Sequence, residues 1–171
     1  LDTETELQIT YHFEIPGLSA FQPVWRFPKK TSEPVPVADN RTLQAMLFGL
    51  GMVELVSYWK IACPPKVIVT AGPLNESQIR WWKDLYYLGL GEFFYTNQIQ
   101  AHPEDFMDLS SNAAELPGKA YPLTAKSGCL IPIGGGKDSA CTVELLKKST
   151  HPLKTCIINP RGATLKTVEV A

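Results

Sequence analysis

Alternation of apolar and polar residues predicts an antiparallel hairpin at the start of the chain. Every second residue from Leu7 to Phe13 is apolar and the residues between are polar, which is typical of a strand with one buried face. Pro16-Gly17 marks a turn, and residues 21–27 form a second, tryptophan-bearing strand. Residues 28–37 are rich in Pro, Lys, Ser and Glu, and we expect an exposed connector there.

A long apolar segment predicts a helix that is followed by a buried strand. Asn40 is a suitable N-cap for a helix over residues 41–60, and Pro64-Pro65 stops it. The helix carries Gly49 and Gly51, which we explain by close packing against a neighbouring element. Residues 66–72 are then typical of a short buried strand.

A capping-box pattern predicts the second helix. Asn75 and Gln78 are spaced as the cap and third residue of a helix that ends near Gly89 or Gly91. One face of this helix carries Ile79, Trp82, Leu85 and Tyr86.

Two further expectations cover the middle of the chain. The aromatic residues 93–95 suggest a strand or an extended core segment. Residues 101–127 hold three prolines and few apolar residues, so we expect a long irregular connection, either a lid or a passive linker.

The most informative segment is residues 128–139, in which a short apolar strand runs into three glycines and then into a helical pattern. Consecutive glycines let backbone N–H groups approach a ligand, and the helix N-terminus attracts anions. Such a site suits phosphate or pyrophosphate. The residues that we expect to bind a nucleotide are Gly134, Gly135, Gly136, Lys137, Asp138 and Ser139.

Two common phosphate motifs do not fit this loop. A Walker A loop would need Gly where Ile131 stands and Ser or Thr where Asp138 stands, and a Rossmann fingerprint would need Gly or Ala at Ser139. The loop resembles that of the N-type ATP pyrophosphatases, Ser-Gly-Gly-x-Asp-Ser after a strand, with Gly134 where Ser is usual. The alternative is a glycine-rich turn without a ligand. Asp138 is either an Mg²⁺ ligand or a helix cap.

The elements around the loop predict a β-loop-α-β unit of a parallel sheet. Its strands are residues 130–133 and 153–158, and its helix is residues 139–149 with Val143 and Leu146 facing inward. The fold class is therefore α/β. We predict an N-terminal α+β region over residues 1–125, followed over residues 126–171 by the incomplete start of a PP-loop domain of the adenine nucleotide α-hydrolase type.

Composition narrows the function classes. Hydrophobic residues make up 44% of the chain and charged residues 19%, and the net charge is −1 with a pI of about 6.3. This balance indicates a globular protein. It provides no overall positive electrostatic potential that would attract nucleic acid. We see no secretory signal and no apolar run long enough for a membrane span, so we expect a cytoplasmic protein.

The remaining reactive or aromatic side chains have structural explanations that we favour. The cysteines show neither a CxxC pair nor zinc spacing and are interpreted as reduced core thiols, with Cys141 a buried helix thiol rather than a sulfur-transfer residue. Tryptophans at helical positions could stack on a nucleotide base, but they more often belong to the hydrophobic core. The scattered histidines are interpreted as surface or structural residues. These residues are Trp59, Trp81, Trp82, His12, His102 and His151.

Three further segments carry a second resemblance. The first segment, residues 49–60, is Gly-Leu-Gly-Met-Val-Glu-Leu-Val-Ser-Tyr-Trp-Lys. The second, residues 78–86, is Gln-Ile-Arg-Trp-Trp-Lys-Asp-Leu-Tyr. The third, residues 89–95, is Gly-Leu-Gly-Glu-Phe-Phe-Tyr. Together with residues 134–139 they resemble the bacterial UDP-N-acetylmuramoyl-alanyl-glutamate epimerases over residues 7–171. Members of that family are much longer, so the resemblance implies that these residues are an N-terminal portion.

The resemblance implies an isomerase of peptidoglycan biosynthesis. Its substrate would be a nucleotide-linked muramoyl dipeptide, whose terminal L-glutamate is inverted to D-glutamate through an acyl-adenylate. ATP and Mg²⁺ would be consumed, and AMP and pyrophosphate released. The alternatives are another adenylating enzyme, such as an amidating ligase or a tRNA-modifying enzyme, and a non-catalytic nucleotide-binding module.

The acid and base of such a reaction are not evident from the sequence. Glu54 and Lys60 are candidates for orienting substrate or transferring a proton. We favour the alternative in which Glu54 is partly exposed or forms an ion pair with Lys60. The oligomeric state, and activity of these residues alone, are left open.

Overall fold

The computed structural model describes residues 1–29, 31–122 and 127–170, and the chain divides into two compact units, residues 1–122 and 123–171. Helices and short two-stranded sheets make up both units, so the protein is mixed α/β. The predicted boundary at residues 125 and 126 lies outside the described residues.

The first unit begins with two antiparallel ladders, as the alternating pattern predicts. Its first four strands are β1 (Glu6–Thr10), β2 (Phe13–Ile15), β3 (Ser19–Phe21) and β4 (Val24–Pro28). β1 pairs with β4 and β2 pairs with β3. Between the ladders the Tyr11 N–H donates to the Pro23 carbonyl at 3.0 Å, and Pro23 has no N–H to return a bond.

Helix α1 (Arg41–Trp59) starts as predicted, because the Asn40 side chain accepts a hydrogen bond from the Leu43 N–H at 3.0 Å. Its two glycines differ. A Cβ at Gly51 would lie 2.7 Å from the Tyr11 ring, so close packing explains this glycine. A Cβ at Gly49 would meet nothing within 4 Å, so the same explanation is wrong there.

A parallel strand pair with two helices between its strands completes the first unit. It consists of β5 (Lys66–Val69), α2 (Glu76–Gly89), α3 (Gly91–Thr96) and β6 (Asp108–Ser111). β5 and β6 run parallel, with Val67 opposite Leu109. The predicted capping box is present, because the Asn75 side chain bonds the Gln78 backbone and the Gln78 side chain bonds the Asn75 backbone.

Two expectations about this part of the chain are wrong. Residues 93–95 are helical, and Phe94 is buried edge-on against Trp59. Leu85 is 44% exposed, since the buried face of α2 instead runs through Trp82, Tyr86 and on to Leu90.

The expected irregular connection also contains structure. β6 lies within it, where the polar residues of the strand hid its pattern. Further on, Lys119 exchanges backbone hydrogen bonds with Asp39 and Arg41 at 3.0 Å each, so this stretch is tied to the start of α1. Residues 123–126 of the connection lie outside the described residues.

The core of the first unit lies between α1, α2, α3 and the parallel strands. Tyr86 crosses it, and its hydroxyl donates to the Met52 carbonyl at 2.6 Å. Burial raises the pKa of Tyr86, which keeps the hydroxyl a donor. The buried residues of this core are Met52, Trp59, Val69, Trp82, Tyr86, Leu90, Phe94, Met107 and Leu109.

The second unit is the predicted β-loop-α-β unit followed by a further helix. Its elements are β7 (Cys129–Pro132), α4 (Lys137–Leu146), β8 (Leu153–Cys156) and α5 (Gly162–Val170), and β7 runs parallel to β8. Ile131, Ile133 and Val143 form a small buried cluster, against which Leu146 packs as predicted. Among the described helices, none combines the length and apolar character that a bilayer crossing requires.

Met107 provides a test of the first core because its side chain is 0% exposed. We expect Met107→Ala to lower the free energy of unfolding by about 2–5 kcal/mol, since it leaves a cavity next to Leu109. The matched control is Met46→Ala on α1, because Met46 is 50% exposed, and its cost should stay below about 1 kcal/mol.

Urea unfolding followed by tryptophan fluorescence measures this difference, because every Trp of the chain lies within residues 1–122. Equal costs for the two substitutions would contradict the placement of Met107 in the core.

Candidate functional site

The glycine loop joins the end of β7 to the start of α4. Ile133, which follows β7, is buried, and its N–H donates to the Cys156 carbonyl at 2.8 Å. This bond ties the loop to the carboxyl end of β8. Because the carboxyl ends of parallel strands face the same way, the loop opens at the edge where α/β sheets bind ligands.

Gly135 is the residue of the loop that must be glycine. Its φ is +81°, a left-handed conformation that is costly for residues with a Cβ. A Cβ would also lie 3.0 Å from the Thr164 backbone nitrogen and 3.0 Å from its Cγ2. The loop therefore turns sharply while lying directly against the first turn of α5.

Gly134 and Ser139 close the loop from the other side. The Gly134 N–H donates to the Ser139 Oγ at 2.9 Å. A Cβ at Gly134 would meet only this Oγ, at 3.8 Å. The Ser that is usual at this position of the N-type motif would therefore fit, and its absence leaves the backbone of the loop unchanged.

Backbone N–H groups collect at the start of α4. Among the described residues, no N–H from Gly135 to Ser139 has a hydrogen-bond acceptor, and the Gly136 cap has no side chain to supply one. The positive end of the α4 dipole lies at the same place. These donors and the absence of a Cβ at Gly135 fit a phosphate group, whose oxygens would accept the free N–H groups.

The charged residues of the loop are exposed and lie at the start of the helix. Lys137 is the first residue of α4 and Asp138 the second, and among the described residues no capping hydrogen bond is found at the start of this helix. Within the described part of the chain, no three His, Cys, Asp or Glu side chains converge on a possible metal site. A cation at Asp138 would therefore take most of its ligands from phosphate oxygens and water.

Comparisons with known proteins settle the family. The family model described as MurL N-terminal domain matches residues 1–171. The chain belongs to the MurL family. This confirms the family that the sequence resemblance predicts.

Three curated relatives carry the name UDP-N-acetyl-alpha-D-muramoyl-L-alanyl-L-glutamate epimerase. The chain is 32% identical to the Xanthomonas oryzae pv. oryzae protein over 64% of its own length and 24% of the relative. It is 32% identical to the Micromonospora protein, over 75% of the chain and 28% of the relative. The Salinispora tropica protein is 28% identical, over 85% of the chain and 32% of the relative.

This MurL-family chain thus spans about a quarter to a third of the length of these relatives. No solved structure matches it.

The two candidate proton-transfer residues lie in the first unit of this MurL-family chain. The Glu54 carboxylate accepts a hydrogen bond from the Trp25 indole at 3.0 Å, so it joins α1 to β4. Lys60 is exposed and follows the last residue of α1. Glu54 is half-buried, as one of the two favoured alternatives predicts, while the ion pair with Lys60 is not found among the described residues, because Glu54 turns toward the hairpin.

The tryptophans and histidines mostly follow the structural explanation. Trp59 and Trp82 are buried in the core, whereas Trp81 is 57% exposed. The Trp81 ring lies edge-on to the Trp82 ring, and the two ring centroids are 4.8 Å apart. The core prediction is wrong for Trp81 because adjacent helical residues point about 100° apart. The histidines are exposed, as predicted: His12, His102 and His151.

The cysteines are less buried than the sequence suggests. Cys141 and Cys156 are exposed, so their prediction as core thiols is wrong, while Cys63 and Cys129 are half-buried. The inward face of α4 is set by Val143, and Cys141, two residues earlier, lies on the far side of the helix. All four thiols are free.

Sequence reasoning missed Thr164, which lies against the glycine loop. Thr164 is 9% exposed, and its hydroxyl bonds both the N–H and the carbonyl of Arg161, at 2.9 and 2.7 Å. A threonine at the third position of a helix is only a weak sequence signal for such a role. Its contact with Gly135 depends on tertiary packing and has no sequence signal.

Gly135 and Gly134 form a matched pair for testing the loop. Gly135→Ala should destabilise the second unit by about 2 kcal/mol, since Ala is strained at positive φ and its Cβ would press on Thr164. Gly134→Ala should change the stability by less than about 0.5 kcal/mol, because its Cβ would make only an ordinary van der Waals contact with the Ser139 Oγ, at 3.8 Å.

Hydrogen exchange of peptides from β7 and α4, read by mass spectrometry, measures both effects. Faster exchange in both variants, or in neither, would contradict the special conformation at Gly135.

Proposed function

We propose that this protein takes part in the ATP- and Mg²⁺-dependent epimerisation of UDP-N-acetylmuramoyl-L-alanyl-L-glutamate, in which the terminal L-glutamate becomes D-glutamate. The observation that carries the proposal is the family match over residues 1–171 together with the shared name of the three relatives. The substrate would be a nucleotide-linked muramoyl dipeptide. The protein would act as an isomerase in peptidoglycan precursor synthesis in the cytoplasm.

The chemistry of glutamate inversion explains why such a reaction would use ATP. The Cα–H of a free α-carboxylate is a very weak acid, because its carbanion would lie beside a negative charge. ATP would supply an AMP group to that carboxylate, which neutralises the charge and lets the carbonyl accept electron density. Pyrophosphate would leave as the AMP group is transferred, and water would later hydrolyse the acyl–AMP bond, which releases AMP and restores the carboxylate.

The glycine loop is the part of this chain that we assign to the ATP phosphates. Its free N–H groups, from Gly135 to Ser139, would donate to the phosphate oxygens. Ser139 accepts the Gly134 N–H through its oxygen, which leaves its hydroxyl proton to donate to a ligand. Lys137 would add positive charge beside the phosphates.

Asp138 is the residue that we assign to Mg²⁺. It is exposed and stands in the first turn of α4, beside the N–H groups that have no acceptor among the described residues. Mg²⁺ is usually held by one or two carboxylates and by substrate phosphates, with water completing its ligands. A single carboxylate at the phosphate site is consistent with that arrangement.

The role of the loop leads to a binding prediction. Gly135→Ala should weaken binding of ATP with Mg²⁺ by more than about tenfold, because its Cβ disturbs the turn that presents the N–H groups. Gly134→Ala should bind ATP within about threefold of the wild-type protein, since the loop retains its shape.

Titration calorimetry measures both affinities. Unchanged affinity in Gly135→Ala, or no ATP binding by the wild-type protein, would remove the loop from the proposal.

The reaction itself is tested with ATP, Mg²⁺ and UDP-N-acetylmuramoyl-L-alanyl-L-glutamate, by following AMP release and the chirality of the recovered glutamate. We expect AMP together with D-glutamate. AMP without inversion would favour a different adenylating enzyme, such as an amidating ligase. Bound ATP without AMP would favour a non-catalytic nucleotide-binding module.

A further inference from the structure

Helix α1 has one face that is left open in the described structure. Arg41 and Glu54 are the charged residues among its 19 residues, so apolar side chains point in every direction from the helix. A helix that is apolar all round is normally buried on all sides. On α1, however, Met46 is 50% exposed and Val53 is 55% exposed.

This face points away from both of the contacts that α1 makes within the first unit. Tyr11 of the hairpin lies over Gly51, and Trp59 points into the core. Because successive helical residues are about 100° apart, Met46 and Val53 point within about 20° of each other and at least about 120° away from Gly51 and Trp59. The open face is thus a third side of the helix.

Gly49 lies beside these two exposed side chains. A Cβ at Gly49 would meet nothing within 4 Å, so no contact among the described residues requires a glycine there. A glycine in mid-helix costs up to about 1 kcal/mol of helix stability. On an open face it allows another backbone to approach closely. The exposed apolar side chains and the glycine are separate observations, and both indicate that a second helix packs here.

The residues of the open face are arranged symmetrically about the point midway between Gly49 and Leu50. Met46 precedes Gly49 by three residues, and Val53 follows Leu50 by three. In a symmetric dimer the same surface is used by both subunits and must fit itself. This face does so in antiparallel orientation, because Met46 of one copy then lies against Val53 of the other.

Opposite charges follow the same symmetry at the two ends of the helix. Asp39 precedes Gly49 by ten residues, and Lys60 follows Leu50 by ten. Both residues are exposed, and neither forms an ion pair among the described residues. In an antiparallel helix pair, Asp39 of each copy lies opposite Lys60 of the other. This charge complementarity favours a second copy of the chain as the partner.

We propose that the protein forms a two-fold symmetric dimer in which the α1 helices of two copies pack antiparallel through the open face. The two-fold axis passes between Gly49 and Leu50. The two Gly49 residues lie side by side next to the axis, where the absence of side chains lets the helices come close together. Met46 and Val53 cover each other on both sides of the axis.

The ion pairs fix the crossing angle of the two helices. Each end of the helix lies about 16 Å from the axis, at about 1.5 Å per residue. A crossing angle of about 20° displaces the paired ends sideways by about 6 Å, which a lysine side chain spans, whereas about 50° would displace them by about 13 Å. The dimer therefore uses the shallow crossing angle.

The size of the contact sets the strength of the dimer. One helix pair covers less than the about 800 Å² per partner that a stable complex buries. We therefore expect a dissociation constant of about 10–100 μM. The chain is then monomeric at the low micromolar concentrations of fluorescence measurements.

Sedimentation velocity of the complete chain at about 1 to 300 μM tests the proposal. We expect the wild-type protein to change from monomer to dimer in this range. Val53→Asp should abolish the change, because it buries a carboxylate in the interface. The control is Leu88→Asp on α2, since Leu88 is 79% exposed and lies outside the open face. A wild-type protein that stays monomeric, or equal loss of dimer in both variants, would overturn the proposal.

Charge reversal at low ionic strength tests the antiparallel register with exposed residues alone. Asp39→Lys and Lys60→Asp should each weaken the dimer by about tenfold, because both ion pairs become repulsive. The double variant should dimerise within about threefold of the wild-type protein, because both pairs are restored with their charges exchanged.

Interaction of these two charges with the helix dipole gives no such rescue, since the double reversal is unfavourable at both ends of each helix. A double variant that dimerises no better than the single variants would overturn the proposal, even if Val53→Asp abolishes the dimer.

Discussion

Helix α1 is the element on which the first unit depends, and its contact with Tyr11 holds the hairpin against it. The ring of Tyr11 lies over Gly51, where any Cβ would be 2.7 Å away, and its hydroxyl donates to the Leu47 carbonyl at 2.8 Å. Burial raises the pKa of Tyr11 to about 12, with Glu54 adding to the effect, so the hydroxyl remains a donor. The glycine in mid-helix costs up to about 1 kcal/mol of helix stability. In return, the hairpin lies directly on the helix backbone.

The parallel strands β5 and β6 pack on another face of the same helix. Met52 and Trp59 point into the core beneath β5 and β6, and the Trp59 indole donates to the Pro64 carbonyl at 2.9 Å. Because the hairpin and β5 both pack on α1 without pairing with each other, a gap remains between them. This gap is therefore a direct result of how one helix supports two small sheets.

Much of this arrangement is predictable from local patterns. The caps at Asn40 and Asn75, the hairpin and the β-loop-α-β unit follow from residue types at short spacing, since capping and turn formation involve neighbours in sequence. The glycine loop is recognisable in the same way, because its glycines, Lys137 and Asp138 are contiguous. The roles of those residues as ligands of ATP and Mg²⁺ remain proposals.

The features that escaped prediction depend on contacts between distant residues. β6 is a strand because Met107 and Leu109 bury their side chains beside β5, although the residues between and after them are polar. The aromatic residues 93–95 favour a strand locally, but a helix places Phe94 against Trp59. The gap between the two sheet edges has no sequence signal, since each strand is ordinary by itself.

The contrast between Gly134 and Gly135 bears on how such loops are recognised in other chains. Space around Gly134 admits a side chain, so this position can vary without changing the turn. Gly135 has no such freedom, because its left-handed backbone and the neighbouring Thr164 both exclude a Cβ. A search pattern that demands serine at the first position would pass over this protein. A pattern anchored on the central glycine would find it.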